Sequence, residues 1–60
     1  MTLDELLEIL STKTRIRVET KSGMLVGAYT PTRVPNEWWD KTVLKAYINP
    51  ITKSLEIEIE

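Results

Sequence analysis

The 60-residue sequence predicts an α+β fold, in which an N-terminal helix packs on a four-stranded antiparallel sheet. The expected order is α-β-β-β-β, with a short helical turn between two hairpins. Two observations indicate this fold: the chain starts with leucines at helical spacing, and four later segments alternate apolar with polar residues. The length corresponds to a single domain over residues 1–60, near the lower limit for a core that folds alone.

The first ten residues form the predicted helix. Thr2 and Glu5 match a capping box, in which each side chain can bond the main-chain N–H of the other residue. Four leucines then recur at the spacing of one helical face: Leu3, Leu6, Leu7 and Leu10. Because so short a helix is marginal in water by itself, we expect this leucine stripe to dock on an apolar face of the sheet.

Two hairpins supply the predicted sheet. The first joins Arg15–Thr20 to Met24–Thr30 through a turn at Gly23, where a glycine tolerates a positive φ. The second joins Thr42–Ile48 to Ser54–Glu60, which has the most regular alternation in the chain. If the strands pair in chain order, the second and third strands are the central ones.

The segment between the hairpins carries the two adjacent tryptophans. We expect residues 30–35 to be extended and exposed, because residues before proline avoid the α region. Pro35 suits the first position of a short helical turn over Asn36–Asp40. Neighbouring side chains rarely point the same way, so we assign Trp38 to the core, leaving Trp39 outward. The predicted core neighbours of Trp38 are Val34 and Leu44.

The composition excludes several classes of protein. The chain has no Cys and no His, so it lacks the usual zinc ligands, the usual general base and the best nucleophile. Its two glycines are isolated and form no phosphate-binding loop. We therefore predict a protein with no catalytic residue, no metal site and no cofactor. The absence of Cys fits a reducing cytoplasm, where we expect this protein to be. Neither a bilayer-length apolar run nor a leader pattern is visible, so we expect no membrane contact.

Alternation assigns the strand side chains to two faces. The side chains expected to face the helix are Ile16, Val18, Val26, Leu44, Ile48, Leu55, Ile57 and Ile59. The opposite face would show Leu25, Tyr29, Val43 and Tyr47, flanked by charged residues. Together with Trp38 and Trp39, these four are the candidate partner-binding residues, because Trp and Tyr dominate the hot spots of protein interfaces. A protein partner is the first hypothesis.

A second hypothesis is an oligomer that encloses an anionic small molecule such as a nucleotide. The candidate anion-binding residues are Arg15, Arg17, Arg33 and Lys45. Aromatic rings would stack on a base while these cations meet phosphates. Binding of single-stranded nucleic acid ranks third, because the formal charge of −1 lacks the positive excess of a phosphate-backbone binder.

The charges on the first and last strands bear on self-association. Arg15 and Arg17 line one strand, and Glu56, Glu58 and Glu60 line the other. If the two strands are neighbours, these residues form weak cross-strand ion pairs. If the strands are opposite edges, the charges could pair between copies. A small domain without disulfides also favours association, so we expect a homo-oligomer.

Several segments together resemble the uncharacterised small accessory proteins of tailed phages of Gram-positive bacteria. They are the capped helix at Leu3–Leu10, the strand at Thr14–Val18, the segment Pro35–Val43 and the final strand at Leu55–Ile59. In that family two leucines follow the proline, where this chain has Trp38 and Trp39. The resemblance implies a phage gene expressed in the cytoplasm of a host bacterium. It further implies a non-enzymatic binding protein that inhibits a host defence or sequesters its nucleotide signal.

Overall fold

A computed structural model describes all 60 residues and confirms the α+β class. One helix packs against one four-stranded sheet. The helix α1 spans Leu3–Ile9, and the strands are β1 (Ile16–Thr20), β2 (Leu25–Tyr29), β3 (Val43–Asn49) and β4 (Ser54–Ile59). Strand ends lie within one residue of their predicted positions. The structure holds no helix long and apolar enough to cross a bilayer.

The strand order is β2-β1-β4-β3, which corrects two predictions. First, β1 pairs with β4 in parallel, so the sheet is mixed and not wholly antiparallel. Second, β2 and β3 are the edge strands and not the central ones. The reason lies in burial: β1 and β4 carry the largest fully buried strand side chains, Ile16, Val18 and Ile59, and a central strand hides its side chains best. In contrast, β2 has Gly27 at its middle.

The connection from β2 to β3 joins opposite edges of the sheet and therefore crosses the face that carries the helix. The prediction that residues 30–35 are extended and exposed is wrong for the main chain of Pro31–Arg33 and for the burial of Pro31 and Val34, while Pro35 is extended and exposed. Pro31–Arg33 forms a 3₁₀ turn, and both Pro31 and Val34 are buried. The predicted helical turn is present as a second 3₁₀ turn at Asn36–Trp38. The connection is thus part of the core layer.

The capping box at the start of α1 is confirmed. The Thr2 main-chain N–H donates to Glu5 Oε1 at 2.8 Å, and the Thr2 hydroxyl donates to the same oxygen at 2.9 Å. The N–H groups of Leu3 and Asp4 donate to carbonyls of the connection, at 2.9 and 3.0 Å. Free N–H groups at a helix start need such partners. The segment that bears the tryptophans therefore also anchors the helix.

These hydrogen bonds predict a pH dependence of stability. The bonds from Thr2, the main-chain one first, lower the pKa of the Glu5 carboxyl below its ordinary value. A depressed folded pKa adds stability above the unfolded pKa, and that addition is lost as pH falls through the folded pKa. We expect wild type to be more stable than Glu5→Gln at about pH 7, and this difference to shrink towards about pH 3. Thermal melts of both proteins measure it; an undiminished difference in acid would contradict the assignment.

Seven buried apolar side chains form the core: Leu3, Leu6, Ile16, Val18, Val34, Ile57 and Ile59. Val34 can pack closely on β2 because the residue that faces it there is Gly27, which has no side chain. A Cβ atom on Gly27 would lie only 3.1 Å from Cγ2 of Val34. The glycine therefore allows the connection to lie close to the edge of the sheet.

The two tryptophans differ in burial as predicted. Trp38 packs against the core, whereas Trp39 is 43% exposed. The indole N–H of Trp39 donates to the Val34 carbonyl at 3.0 Å, which fixes the ring although it is outside the core. The predicted core role of Leu44 is wrong: this residue lies at an irregularity in the β3–β4 register and is exposed.

Candidate functional site

One face of the sheet has nothing packed on it. The helix and the connection both contribute to the core on the side of Ile16 and Ile57, so they cover the same face. We call the opposite side the outer face. Its first row of neighbouring side chains is Ala28, Arg17, Glu56 and Tyr47, and its second row is Leu25, Glu19, Glu58 and Lys45. The outer face therefore has a charged centre between apolar and aromatic margins.

The charged centre is held by ion pairs within the chain. Arg17 Nε lies 2.8 Å from Glu19 Oε1 and 3.9 Å from Glu56 Oε1. Glu19 first, and then Glu56, raise the pKa of the Arg17 guanidinium. At the far side, Lys45 Nζ lies 4.0 Å from Glu58 Oε1. Because β1 and β4 are neighbours, Arg17 and Glu56 meet inside one copy, which is the first of the two predicted arrangements. The condition for the second, strands at opposite edges of the sheet, is not met.

A shallow groove of about 620 Å³ runs across the outer face. Its apolar end is formed by Leu25, Ala28 and Tyr29, and Arg15 and Arg17 line it beside them. The structure thus brings together four of the predicted site residues from two separate hypotheses. Aromatic, apolar and cationic groups share one concave surface.

Tyr29 has an unusual main chain for this position. Its φ is +74°, in the left-handed region that residues with a Cβ atom rarely adopt. The register pairs Tyr29 with Ile16, whose side chain is in the core, so regular alternation would turn the tyrosine inward. The positive φ ends the strand, and Tyr29 is instead 70% exposed and is one of the residues that line the outer groove. The exposed Tyr29 thus has a strained main-chain conformation.

The other predicted residues do not join this groove. Tyr47 lies on the outer face at the opposite edge, in a second, smaller cleft with Lys45. Val43 was predicted to share that face, which is wrong: it pairs with Ile59 and packs against the core. Arg33 belongs to the first 3₁₀ turn, away from the other cations.

The tryptophans also lie apart from the outer face. Trp38 packs against the core, and Trp39 lines a separate hollow with Leu7 of α1 and Pro31 of the connection. The six candidate partner-binding residues therefore do not form one surface. Only Leu25 and Tyr29 lie together.

Three polar groove residues have no signal in the sequence that marks them as site residues: Asn49, Thr52 and Ser54. Glu56, predicted as a charged residue of the last strand, also lines the groove. Ser54 donates from its hydroxyl to Glu56 Oε2 at 2.9 Å, and the Glu56 side chain is only 16% exposed. Alternation along β4 does place Glu56 outward, but the parallel pairing that sets it beside Arg17 has no local sequence signal. Knowledge of the strand order is needed to find this side of the groove.

The outer face carries chemical groups of several kinds. It offers an exposed tyrosine, aliphatic contacts and both signs of charge, which suit contact with another molecule's surface. The carboxylates on it are engaged with Arg17, Lys45 or Ser54. No protein-family model, no curated protein and no solved structure matches this chain.

Proposed function

We propose that this is a non-catalytic binding protein whose outer face recognises another protein. The observation that supports it most is the groove in which Leu25 and Tyr29 adjoin Arg15 and Arg17. Interfaces combine such aromatic and apolar anchors with a charged margin. In the phage context that the sequence resembles, the partner is a host protein, and binding inhibits it.

The conformation of Tyr29 is a second support. A positive φ at a tyrosine costs on the order of 1 kcal/mol, which a residue without a role would not need to bear. Its side chain is not used for packing, since most of it is exposed. Strain of this kind clusters at binding sites, where it orients a contact group.

The test uses a variant that is expected to lose binding without losing stability. Asparagine tolerates a positive φ better than tyrosine, so Tyr29→Asn is expected to keep or slightly raise the melting temperature. It is also expected to lose the partner, because the aromatic anchor is gone. Captures from a Gram-positive bacterial lysate with wild type and with Tyr29→Asn, compared by mass spectrometry, measure this loss.

The matched control is Ile51→Asn, which replaces another highly exposed side chain that is not part of the groove lining. It should retain every protein that wild type retains. If Tyr29→Asn retains the same proteins as wild type and control, the outer groove is not the binding surface.

Sequestration of a nucleotide-like anion is the second candidate. Arg15, Arg17 and Tyr29 line a groove whose volume of about 620 Å³ falls in the range of small-molecule sites. Against it, Arg17 is already engaged by Glu19 at 2.8 Å, and an anion would have to compete with that carboxylate. The protein partner is therefore ranked first.

Thermal melting with a panel of mono-, di- and cyclic nucleotides separates the two candidates. A ligand at a hundred times its Kd stabilises by roughly 2.7 kcal/mol, which raises the midpoint of so small a domain by about 10 °C or more. Arg15→Ala should abolish that rise. No shift with any nucleotide would remove the sequestration candidate and leave the protein-partner proposal standing.

A further inference from the structure

The two edges of the sheet differ in how they are protected. β2 has five residues, a register irregularity, and the first 3₁₀ turn packed against it. β3 has seven residues, and its five middle positions, Leu44 to Ile48, are all exposed. Natural proteins shield edge strands with bulges, charges or covering segments, because a bare edge pairs with other strands. β3 is the less protected edge.

The main chain at the start of β3 already pairs with the N-terminal residues of the same chain. The main-chain N–H of Val43 donates to the Met1 carbonyl at 2.9 Å, and Thr2 bridges Thr42. The register irregularity follows, between Val43 and Lys45. From Lys45 to Asn49 the strand is regular, and no segment of the chain pairs with its other side. These five residues give about 16 Å of unpaired edge, close to the length of an ordinary strand.

The side chains on this free edge suit an interface. On the helix-bearing face, Ile48 is 63% exposed, and Ala46 beside it is exposed as well. On the outer face, Tyr47 is 54% exposed. Lys45 is the only charged residue of β3, and it already faces Glu58 of its own chain. A single lysine gives β3 little protection against pairing with a strand of another chain.

We propose that two copies of this chain pair antiparallel through Lys45–Asn49 of β3, about a two-fold axis at Tyr47. This register places the two Tyr47 rings side by side on the outer face. On the other face it sets each Ile48 against the partner's Ala46, a large side chain beside a small one. Each Lys45 meets the partner's Asn49, so no like charges are opposed. The two sheets become one continuous eight-stranded sheet.

A second copy fits this edge better than an unrelated strand because the segment complements itself. The regular stretch is centred on Tyr47, so a two-fold axis there pairs all five of its residues at once. The axis also keeps the Met1–Thr2 segment of each copy outside the paired region. An ordinary interface of about 800 Å² per partner would take roughly a fifth of the 4213 Å² surface of this chain. A short edge buries less, so the dimer is expected to be weak.

Sedimentation equilibrium from about 10 μM to about 1 mM tests the proposal on the intact chain. Wild type is expected to shift from monomer to dimer across this range. Ile48→Lys should weaken the dimer by roughly 100-fold, because the charge enters the interface twice by symmetry. Ile51→Lys is the matched control: Ile51 is 90% exposed and lies after β3, so this protein should dimerise as wild type does.

Disulfide formation between introduced cysteines tests the proposed register separately, because the chain contains no cysteine of its own that could react. Tyr47→Cys should oxidise to a covalent dimer much faster than Leu25→Cys, which lies on the same face at the opposite edge. Circular dichroism confirms that each variant is folded. A wild type that stays monomeric at about 1 mM overturns the proposal, as does equal dimerisation of the Ile48→Lys and Ile51→Lys proteins. Neither outcome bears on the groove, whose test uses Tyr29.

Discussion

An Ile59→Ala protein is expected to lose about 3 kcal/mol of unfolding free energy, because the substitution leaves a cavity in the core. Ile59 is fully buried although it is the penultimate residue, since β4 lies between β1 and β3 in the sheet. A domain of this size has roughly 3–9 kcal/mol of stability in total. The variant should therefore lose at least about a third of its stability, and all of it if the wild type lies at the lower end of this range. Urea titration followed by tryptophan fluorescence measures the loss.

Ile51→Ala supplies the control with the same chemical change. Ile51 is 90% exposed in the loop between β3 and β4, so its truncation should change the unfolding free energy by less than about 0.5 kcal/mol. The two substitutions differ only in burial. Equal effects at both positions would mean that β4 is not a central strand.

The elements of this fold were predictable because each has a local signal. The capping box at Thr2 marks the start of the helix, and the final strand follows from the alternation of Leu55, Ile57 and Ile59. The strand order was not predictable, because parallel pairing of β1 with β4 depends on a connection that crosses the core. That crossing buries Val34, in a segment whose prolines indicate an exposed loop.

Local irregularities explain which face predictions failed. Counting alternate residues back from Tyr47 places Val43 on the outer face, but the irregularity between Val43 and Lys45 reverses it. On β2, an irregularity reverses Gly27 and Tyr29 relative to Leu25, yet Tyr29, with its positive φ, lines the outer groove with Leu25. Leu25 and Tyr29 therefore lie together as predicted, but regular alternation along β2 does not explain why.

The tryptophan pair gives the second large effect. Trp38→Ala is expected to destabilise the protein by about 3 kcal/mol, since the ring packs against the core. Trp39→Ala should cost only about 1 kcal/mol, chiefly the hydrogen bond from its indole N–H to the Val34 carbonyl. Urea titrations followed by circular dichroism compare the two variants without relying on the fluorophore that each one removes.

A third variant separates the two contributions of Trp39. Trp39→Phe keeps an aromatic ring but has no N–H to donate, so it should lose nearly as much stability as Trp39→Ala if the hydrogen bond dominates. Equal losses for Trp38→Ala and Trp39→Ala would instead make the outward ring a structural residue. If Trp38→Ala is much the more damaging, Trp39 holds the connection to Val34 while 43% of its surface stays open to solvent. The adjacent rings would then have different roles, one in the core and one at the surface between α1 and the connection.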